Sequence, residues 1–292
     1  MEDIITSGKK LSTKFHVLVN SLKKDIYRRH CYLCQAVYSS HLSVCEACFW
    51  DLPWKQCSCL RCGLPIATNR DSSLQSRLQY PAVGAQFPIE KVEVGQHFFR
   101  NSCLECTAAP FEFDRCITPL TYSFPIGEII HQFKYQKRRY WRYFLNDMLM
   151  LYLKAFRSDL YDDTDYPAPE LIIPVPISEA KLFQREFNQS HGIASKLAQA
   201  FAAPIAHSAI VTRFRSASQA SLSRSQRLTH SQDAFQAGNQ FARIRGKSIM
   251  IVDDVITTGS TANQIARLAK QAGATSVEVW GIARTPKTGP TQ

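Results

Sequence analysis

The second part of the chain has a regular pattern of apolar positions. Between residues 111 and 292, short apolar runs typical of buried strands alternate with segments in which apolar residues recur at helical spacing. This alternation predicts an α/β fold, in which a parallel sheet is covered by helices on both faces. The predicted strands are 171–176, 209–214, 248–252 and 276–283, and helical segments include 126–156, the residues up to Phe201, and 262–272. Ligands of such sheets bind at the carboxyl ends of the strands.

The first part of the chain lacks this alternation. An amphipathic pattern over residues 1–29 predicts a short helix that leads into a cysteine-rich segment. Residues 66–88 are rich in Gln, Ser, Arg and Pro, which predicts a long excursion between two cysteine-bearing turns. Residues 161–169 are acidic and contain proline, so they are expected to form a loop.

The most specific segment runs from Ile249 to Thr261 and reads IMIVDDVITTGST. Its apolar residues predict a strand, which ends at two adjacent acids, Asp253 and Asp254. A turn of small residues follows, and then a helix begins. Such a turn offers free backbone N–H groups and the positive end of a helix dipole to a phosphate. The turn consists of Thr257, Thr258, Gly259, Ser260 and Thr261.

The two acids distinguish this segment from a simple phosphate-binding turn, because carboxylates beside a phosphate repel it. They make sense when the ligand also carries ribose hydroxyls or Mg²⁺. The pattern resembles the phosphoribosyl diphosphate (PRPP) binding motif of type I phosphoribosyltransferases. The alternative, an ordinary strand, turn and helix of an α/β domain, explains the apolar residues and leaves the adjacent acids without a role.

All ten cysteines lie between Cys31 and Cys116, and eight of them form four pairs with two-residue gaps. Such pairs place two thiolates about 3.5–4 Å apart, which suits one tetrahedral Zn²⁺. Four pairs therefore predict about two structural zinc ions, and four thiolates leave no position open for catalysis. Pairing in chain order and a cross-braced arrangement are both compatible with the spacing. In chain order the sets are Cys31, Cys34, Cys45 and Cys48, and Cys59, Cys62, Cys103 and Cys106.

The alternative is that these cysteines are free and buried, or redox-active. A single pair would be compatible with that alternative, whereas four pairs favour zinc binding. Cys57 and Cys116 remain, and Cys116 has the apolar surroundings of a packed core thiol. The start of the chain lacks the pattern of a secretory signal, and no apolar run is long enough to span a bilayer. We therefore expect a cytoplasmic location without a membrane span.

The net charge of +11 favours polyanionic partners such as nucleic acid, a nucleotide or a membrane surface. Residues 134–142, the basic-aromatic segment, interleave cations with aromatic rings and so suit single-stranded DNA. The equally weighted alternative is a solvated helix face whose aromatic residues pack inward. The candidate nucleic-acid contacts are Lys134, Lys137, Arg138, Arg139 and Arg142.

Across nearly its full length, the chain resembles the ComF family of competence proteins. The resemblance is carried by the cysteine pairs before Cys62-Gly63-Leu64-Pro65 and by the later acid motif. Between them stand, in order, Phe113-Asp114-Arg115, the run from Glu128 to Tyr135, Pro174-Val175-Pro176, Arg185-x-Phe187-Asn188-Gln189, and a segment with Arg213, Gln219, Leu222 and Arg227 before Ala234-Phe235. Glu186 stands where the family usually has glycine, and Ser223–Ser231 departs from its usual basic pattern.

The resemblance implies a helical lead (1–29), a double zinc ribbon (30–110) and a type I phosphoribosyltransferase-like domain (111–292). It also implies a role in natural transformation, with a DNA-translocating helicase or another DNA-processing protein as a partner. As an enzyme, the protein would hold the ribose of Mg²⁺-PRPP with Asp253 and Asp254 and its 5-phosphate with residues 257–261. Lys181 and Arg185 would face the diphosphate, and loop 213–227 would close the site. No residue indicates an acceptor.

A second hypothesis retains the fold as a catalytically silent module. Such a module would bind PRPP, a nucleotide or single-stranded DNA without turnover. The net charge, the basic-aromatic segment and the ribbons favour it. A third hypothesis, a zinc-stabilised scaffold for a helicase, fits the cysteines and leaves the two acids unexplained.

Overall fold

The structure, a computed structural model, describes residues 28–55, 57–66, 99–100, 103–162, 166–213 and 234–287. Contacts divide the chain into two units, of which the first contains residues 28–52 and the second contains the remaining described residues. Residues 1–27 of the predicted leading helix lie outside the described residues, and residues 28 and 29 belong to a strand. Nearly all of the excursion at 66–88 and most of loop 213–227 also lie outside them.

The first unit is a small cysteine-bearing fold. Strand β1 (Arg28–His30) pairs antiparallel with β2 (Val37–Ser39), and helix α1 (Glu46–Trp50) follows. The turn between the strands begins at Cys31, whose N–H donates to Ala36 O at 2.9 Å. Its core within residues 28–52 is small, since the buried apolar side chains there besides Cys31 are Leu42, Val44, Phe49 and Leu52.

The second unit is built on a parallel sheet, as the alternating pattern predicts. The order is β5-β12-β10-β7, and each neighbouring pair is parallel. All residues of these strands are buried, because helices cover both faces of a parallel sheet. The strands are β5 (Arg115–Ile117), β7 (Leu171–Pro174), β10 (Ser248–Val252) and β12 (Ser276–Trp280).

Three smaller sheets complete the described strands. Strands β6 (Leu120–Thr121), β11 (Val255–Ile256) and β13 (Ala283–Arg284) form a parallel sheet of order β11-β13-β6. The predicted strand 276–283 is therefore split, because β12 ends at Trp280 and β13 begins at Ala283. The other two pairs are β3 (Ser58–Cys59) with β4 (Phe99–Arg100), and β8 (Ile210–Thr212) with β9 (Phe235–Ala237).

The longer helices of the second unit bury their apolar faces, whereas the helix Glu179–Arg185 has no buried residue and leaves Leu182 and Phe183 exposed. The helical pattern over 126–156 forms two helices, since Lys137 adopts a φ of +55° and the chain turns before Trp141. None of the described helices is both long enough and apolar enough to cross a bilayer. The helices are α2 (Leu104–Ala108), α3 (Ile126–Tyr135), α4 (Trp141–Arg157), α5 (Glu179–Arg185), α6 (Gln189–Phe201) and α7 (Ser260–Gln271), with a π-helix at Ser158–Asp162 and a 3₁₀ helix at Phe241–Ile244.

Candidate functional site

Asp253 lies directly after β10, at the carboxyl end of the central sheet. Its N–H donates to Trp280 O at 2.9 Å, which fixes the backbone against β12. Its Oδ1 accepts from the hydroxyl of Ser190 at 3.0 Å and from the N–H of Asp254 at 2.8 Å. Burial, and then the charge of Asp254, raise the pKa of Asp253 to about 7. Asp253 is therefore an acid whose charge changes near neutral pH.

Asp254 is paired with a cation from α3. Lys134 Nζ lies 2.9 Å from Oδ1 and 2.9 Å from Oδ2 of Asp254, whose residue is only 6% exposed. Lys134 is one of the predicted nucleic-acid contacts, and here its ammonium group is directed to the acid pair. The two residues are 120 positions apart, so no local pattern in the sequence indicates this contact.

The five small residues after β11 form a turn at 257–259 and the first two residues of α7, which begins at Ser260 and not at the predicted 262. Gly259 has a φ of +84° and precedes the first residue of α7, a conformation that favours glycine. A Cβ at this position would lie 3.2 Å from the ring of Phe111, so space also favours glycine. Thr258 Oγ1 accepts from the N–H of Ser260 at 3.2 Å. We name residues 257–261, which the sequence predicts to hold a phosphate, the phosphate turn. Its exposed members are Thr257, Thr258, Ser260 and Thr261.

Arg185 and Lys181 both lie on α5, where they differ in their surroundings. Arg185 stacks over the ring of Tyr135 at 5.0 Å and donates to its hydroxyl at 2.9 Å. It also donates to Gln189 Oε1 at 3.3 Å, at the start of α6. Because Tyr135 follows Lys134, Arg185 lies beside the helix turn that reaches Asp254. Lys181 is exposed on the first turn of α5.

Glu186 follows α5 in a left-handed conformation, with a φ of +65°. Its N–H donates to Leu182 O at 2.7 Å and ends the helix. Glycine adopts this conformation without strain, which gives a physical reason for the glycine that the ComF family usually has here. The carboxylate accepts from Lys137 and Arg139, and the hydrogen bond and charge of Lys137 lower the pKa of Glu186. Two predicted nucleic-acid contacts are thus paired with an acid.

The cysteine pairs meet in chain order and form two clusters. Within each cluster all four Sγ atoms lie within 4.8 Å of one another. Cys34 and Cys45 Sγ are 3.6 Å apart, and Cys62 and Cys103 Sγ are 3.8 Å apart. A tetrahedral zinc with Zn–S bonds of about 2.3 Å separates its sulfurs by about 3.8 Å, so both sets fit zinc. Cluster 1 is Cys31, Cys34, Cys45 and Cys48, and cluster 2 is Cys59, Cys62, Cys103 and Cys106.

Cluster 2 is joined to the phosphate turn by one arginine. Arg284, 3% exposed at the end of β13, donates through Nε to Cys62 O at 2.8 Å and through Nη1 to Ile256 O at 3.0 Å. Ile256 is the residue before Thr257, so one guanidinium contacts both the metal-binding turn and the strand that leads into the phosphate turn. The sequence offers only a weak signal for this role, an arginine directly after an apolar strand.

Lys55 and Arg61 make further contacts around cluster 2. Lys55 Nζ donates to Gly63 O at 2.6 Å and to Thr118 Oγ1 at 2.5 Å. Burial lowers the pKa of Lys55 to about 7. Arg61 Nη2 donates to Phe111 O at 2.8 Å. These side chains hold the turn after Cys59 against the start of the parallel sheet, and none of them was predicted from the sequence.

Comparison with known families agrees with both parts of this description. Residues 188–289 match the family described as phosphoribosyl transferase domain, and residues 24–77 match the double zinc ribbon domain. The protein thus combines a double zinc ribbon with a phosphoribosyltransferase domain. The ribbon match ends at residue 77, before Cys103 and Cys106. The spacing of these two cysteines nevertheless predicts that they are metal ligands, and the structure places them in cluster 2.

The similar proteins are named for DNA utilization and for competence. The chain is 27% identical over 256 residues to the DNA utilization protein YhgH of Escherichia coli (strain K12), covering 87% of this chain and 96% of that protein. It is 27% identical over 187 residues to Competence protein F of Haemophilus influenzae, with coverages of 64% and 80%. It is 27% identical over 132 residues to Competence protein ComFC of Streptococcus pneumoniae, with coverages of 45% and 56%. The resemblance to the ComF proteins is confirmed.

Proposed function

We propose that the protein acts in natural transformation, the uptake of DNA, and that its phosphoribosyltransferase domain binds PRPP. The names of the similar proteins support the first part. The second part is carried by one observation: Asp253 and Asp254 directly follow β10, and after the short β11 comes an exposed phosphate turn at the start of α7. That arrangement combines acceptors for ribose hydroxyls with donors for a phosphate.

In this proposal each part of PRPP has its own contacts. The phosphate turn and the positive end of α7 hold the 5-phosphate. Asp253 accepts hydrogen bonds from the ribose hydroxyls, and Arg185 and Lys181 face the diphosphate. When an acceptor is present, these two cations stabilise the charge that develops on the leaving diphosphate. A transfer reaction is one proposed outcome, and binding without turnover is the other.

Lys134 determines how Mg²⁺ can take part. Its ammonium group lies 2.9 Å from both carboxylate oxygens of Asp254, so with Lys134 in place these oxygens do not fit as direct Mg²⁺ ligands. We therefore propose that Mg²⁺ arrives bound to the diphosphate of PRPP. Lys134 holds the carboxylate of Asp254 in place through its contacts with both oxygens.

Calorimetry with PRPP and Mg²⁺ tests this proposal. Wild type is expected to bind, and Asp254→Asn is expected to weaken binding about tenfold, because it removes a charged acceptor and its pairing with Lys134. Binding should strengthen between pH 6 and pH 8, because Asp253 ionises there and a carboxylate accepts more strongly than a carboxylic acid. Glu128→Gln, at an exposed residue of α3, is the matched control. Wild type that releases no heat with PRPP would contradict the proposal.

A second proposed function is binding of single-stranded DNA by the basic-aromatic segment. Its residues 137–140 are exposed, and they carry three cations against the one acid, Glu186, that pairs with two of them. Such a protein would work in the cytoplasm beside a DNA-translocating helicase or another DNA-processing partner, and it would hold two structural zinc ions.

Salt-dependent binding of single-stranded DNA tests the second function. Changing Lys137, Arg138 and Arg139 together to Ala should weaken binding and lower the salt slope by about two to three. A matched control changes Lys196, an exposed lysine of α6, to Ala. An unaltered affinity and slope in the triple variant would show that DNA binds elsewhere or not at all.

A further inference from the structure

A cavity of about 180 Å³ lies between helices α3, α4 and α6. Two arginines and a histidine line it together with aromatic, aliphatic and amide side chains. No acid is among the described lining residues, and Glu186, which precedes the lining residue Phe187, accepts from the lining residue Arg139. This composition favours an anion that also carries a flat apolar group. The lining residues are Phe133, Arg139, Arg142, Leu145, Asn146, Phe187, Asn188, Gln189, His191, Gly192 and Ile193.

The cavity adjoins the acid pair through neighbouring residues on two helices. Phe133 lines it, and the next residue, Lys134, holds Asp254. Gln189 lines it, and the next residue, Ser190, donates to Asp253. None of the described lining residues belongs to the phosphate turn. Two of them are the chain neighbours of the residues that contact the two acids.

Gln189 supplies a buried donor that has no protein partner among the described residues. The residue is 1% exposed, its Oε1 accepts from Arg185, and its Nε2 makes no hydrogen bond. Leaving such a group without a partner is unfavourable. An acceptor on a ligand in the cavity would satisfy it.

The aromatic and cationic side chains indicate the kind of ligand. Phe133 and Phe187 have ring centroids 5.0 Å apart, and the guanidinium of Arg139 lies 5.7 Å from the ring of Phe187. Arg142 and His191 also line the cavity, and His191 lies in the first turn of α6, where the helix dipole favours negative charge. Aromatic faces beside cations are the combination that binds a base and its phosphate.

We propose that this cavity binds one 5′-nucleotide unit, with its base against Phe187 and its phosphate at Arg142, beside Arg139, whose guanidinium is held by Glu186. The volume of about 180 Å³ lies below the range of about 300–1,000 Å³ for pockets that hold drug-sized molecules, so it limits the occupant to one unit at most. The nucleotide is either free or part of a single strand, and in the second case the proposal rests on the proposed DNA-binding function. It does not depend on PRPP binding.

Calorimetry on the full chain with thymidine 5′-monophosphate, deoxyribose 5-phosphate and single-stranded hexathymidylate tests this proposal. Arg142→Gln should weaken thymidine monophosphate binding about tenfold, since it removes a cation from the cavity. Phe187→Leu should weaken thymidine monophosphate about tenfold and leave deoxyribose phosphate within about twofold, because only the base stacks. Arg243→Gln is the matched control, since it removes the same charge from an exposed residue of the 3₁₀ helix that does not line the cavity.

The outcomes separate the sources of the nucleotide and the competing explanations. Equal affinity for the monophosphate and the hexamer indicates a free nucleotide, whereas a tighter hexamer that is weakened by Phe187→Leu indicates a strand. Absence of monophosphate binding by wild type, or an equal loss of monophosphate affinity in Arg243→Gln and Arg142→Gln, overturns the proposal. Arg142→Gln should keep wild-type PRPP affinity and thermal stability. An equal loss of PRPP affinity would mean that the cavity is part of the PRPP site.

Discussion

Clusters 1 and 2 each consist of four cysteines, but the two clusters lie in very different surroundings. In cluster 1, Cys34 is exposed, and the backbone bonds around the cluster, such as Cys31 N–H to Ala36 O at 2.9 Å and Tyr32 N–H to Ser43 O at 3.0 Å, stay within the first unit. In cluster 2, Cys59, Cys62 and Cys106 are buried, and Arg284 from the far end of the chain donates to Cys62 O.

This difference indicates that the same kind of metal site has two structural roles in the protein. A four-cysteine site can supply folding free energy to a small unit whose own core is limited. It can also shape a surface against which a larger domain packs. Cluster 1 has the features of the first use, and cluster 2 has those of the second. Metal loss should therefore have different consequences at the two clusters.

The largest effect is expected from Cys62→Ser. Loss of a thiolate weakens zinc binding at cluster 2, and the domain that packs around it should lose about 4 kcal/mol or more of unfolding free energy. Cys48→Ser is the matched change in cluster 1 and should leave the thermal unfolding of the phosphoribosyltransferase domain unchanged. Each variant should contain about one zinc per chain by metal analysis. Equal destabilisation of the domain by the two variants would remove the distinction between the clusters.

Arg284→Met is expected to have the next largest effect. It removes the hydrogen bonds to Cys62 O and Ile256 O and leaves both carbonyls with fewer donors, which should cost about 2–3 kcal/mol. Denaturant unfolding measures the loss, and PRPP affinity should fall because Ile256 precedes the phosphate turn. Arg243→Met, at an exposed residue of the 3₁₀ helix, is the control and should change neither quantity.

Lys55→Met should change how stability depends on pH. Burial lowers the pKa of Lys55 from 10.5 to about 7, so between these values the unfolded chain binds more protons than the folded protein. The stability contribution of Lys55 therefore rises with pH above about 7 and is lost as pH falls through that value, by roughly 1 kcal/mol per pH unit. Unfolding at pH 7, 8 and 9 should show a flatter dependence in Lys55→Met and a wild-type slope in Lys196→Met.

The smallest effect on the domain is expected from mild chelation. Because cluster 1 contains the exposed Cys34 and cluster 2 has three buried cysteines, a chelator should remove one zinc quickly and the other slowly. After the fast phase, the melting temperature of the phosphoribosyltransferase domain and its PRPP affinity should equal those of the untreated protein. A colorimetric zinc-release assay follows both phases, and release of both ions in one phase would contradict the proposed difference.

The parts that could be predicted from the sequence are those with a local signature. β10 occupies 248–252 as predicted, because a strand buried on both faces is a continuous apolar run. The grouping of the cysteines also followed from their spacing, with one alternative left open. The break at 136–140 was not predicted, because the positive φ of Lys137 depends on how α3 and α4 pack.

The contacts that orient the site could not be predicted, because they join distant parts of the chain. Lys134 and Asp254 are 120 residues apart, and Arg284 and Cys62 are 222 residues apart. A single sequence contains no pattern at such separations. Glu186 is an intermediate case. The sequence shows that it stands where the ComF family usually has glycine, but only the structure shows that the position has a φ of +65°, which favours glycine.

Arg284 also limits where the chain can be cut. A protein trimmed to residues 111–292, the predicted catalytic half, would lack Cys62 and would expose a cationic side chain that the intact fold buries to 3%. Its guanidinium would still reach Ile256 and would carry the disturbance to the start of the phosphate turn. A soluble and active fragment is therefore expected only when it keeps both halves of the second metal site, including residues 103–106.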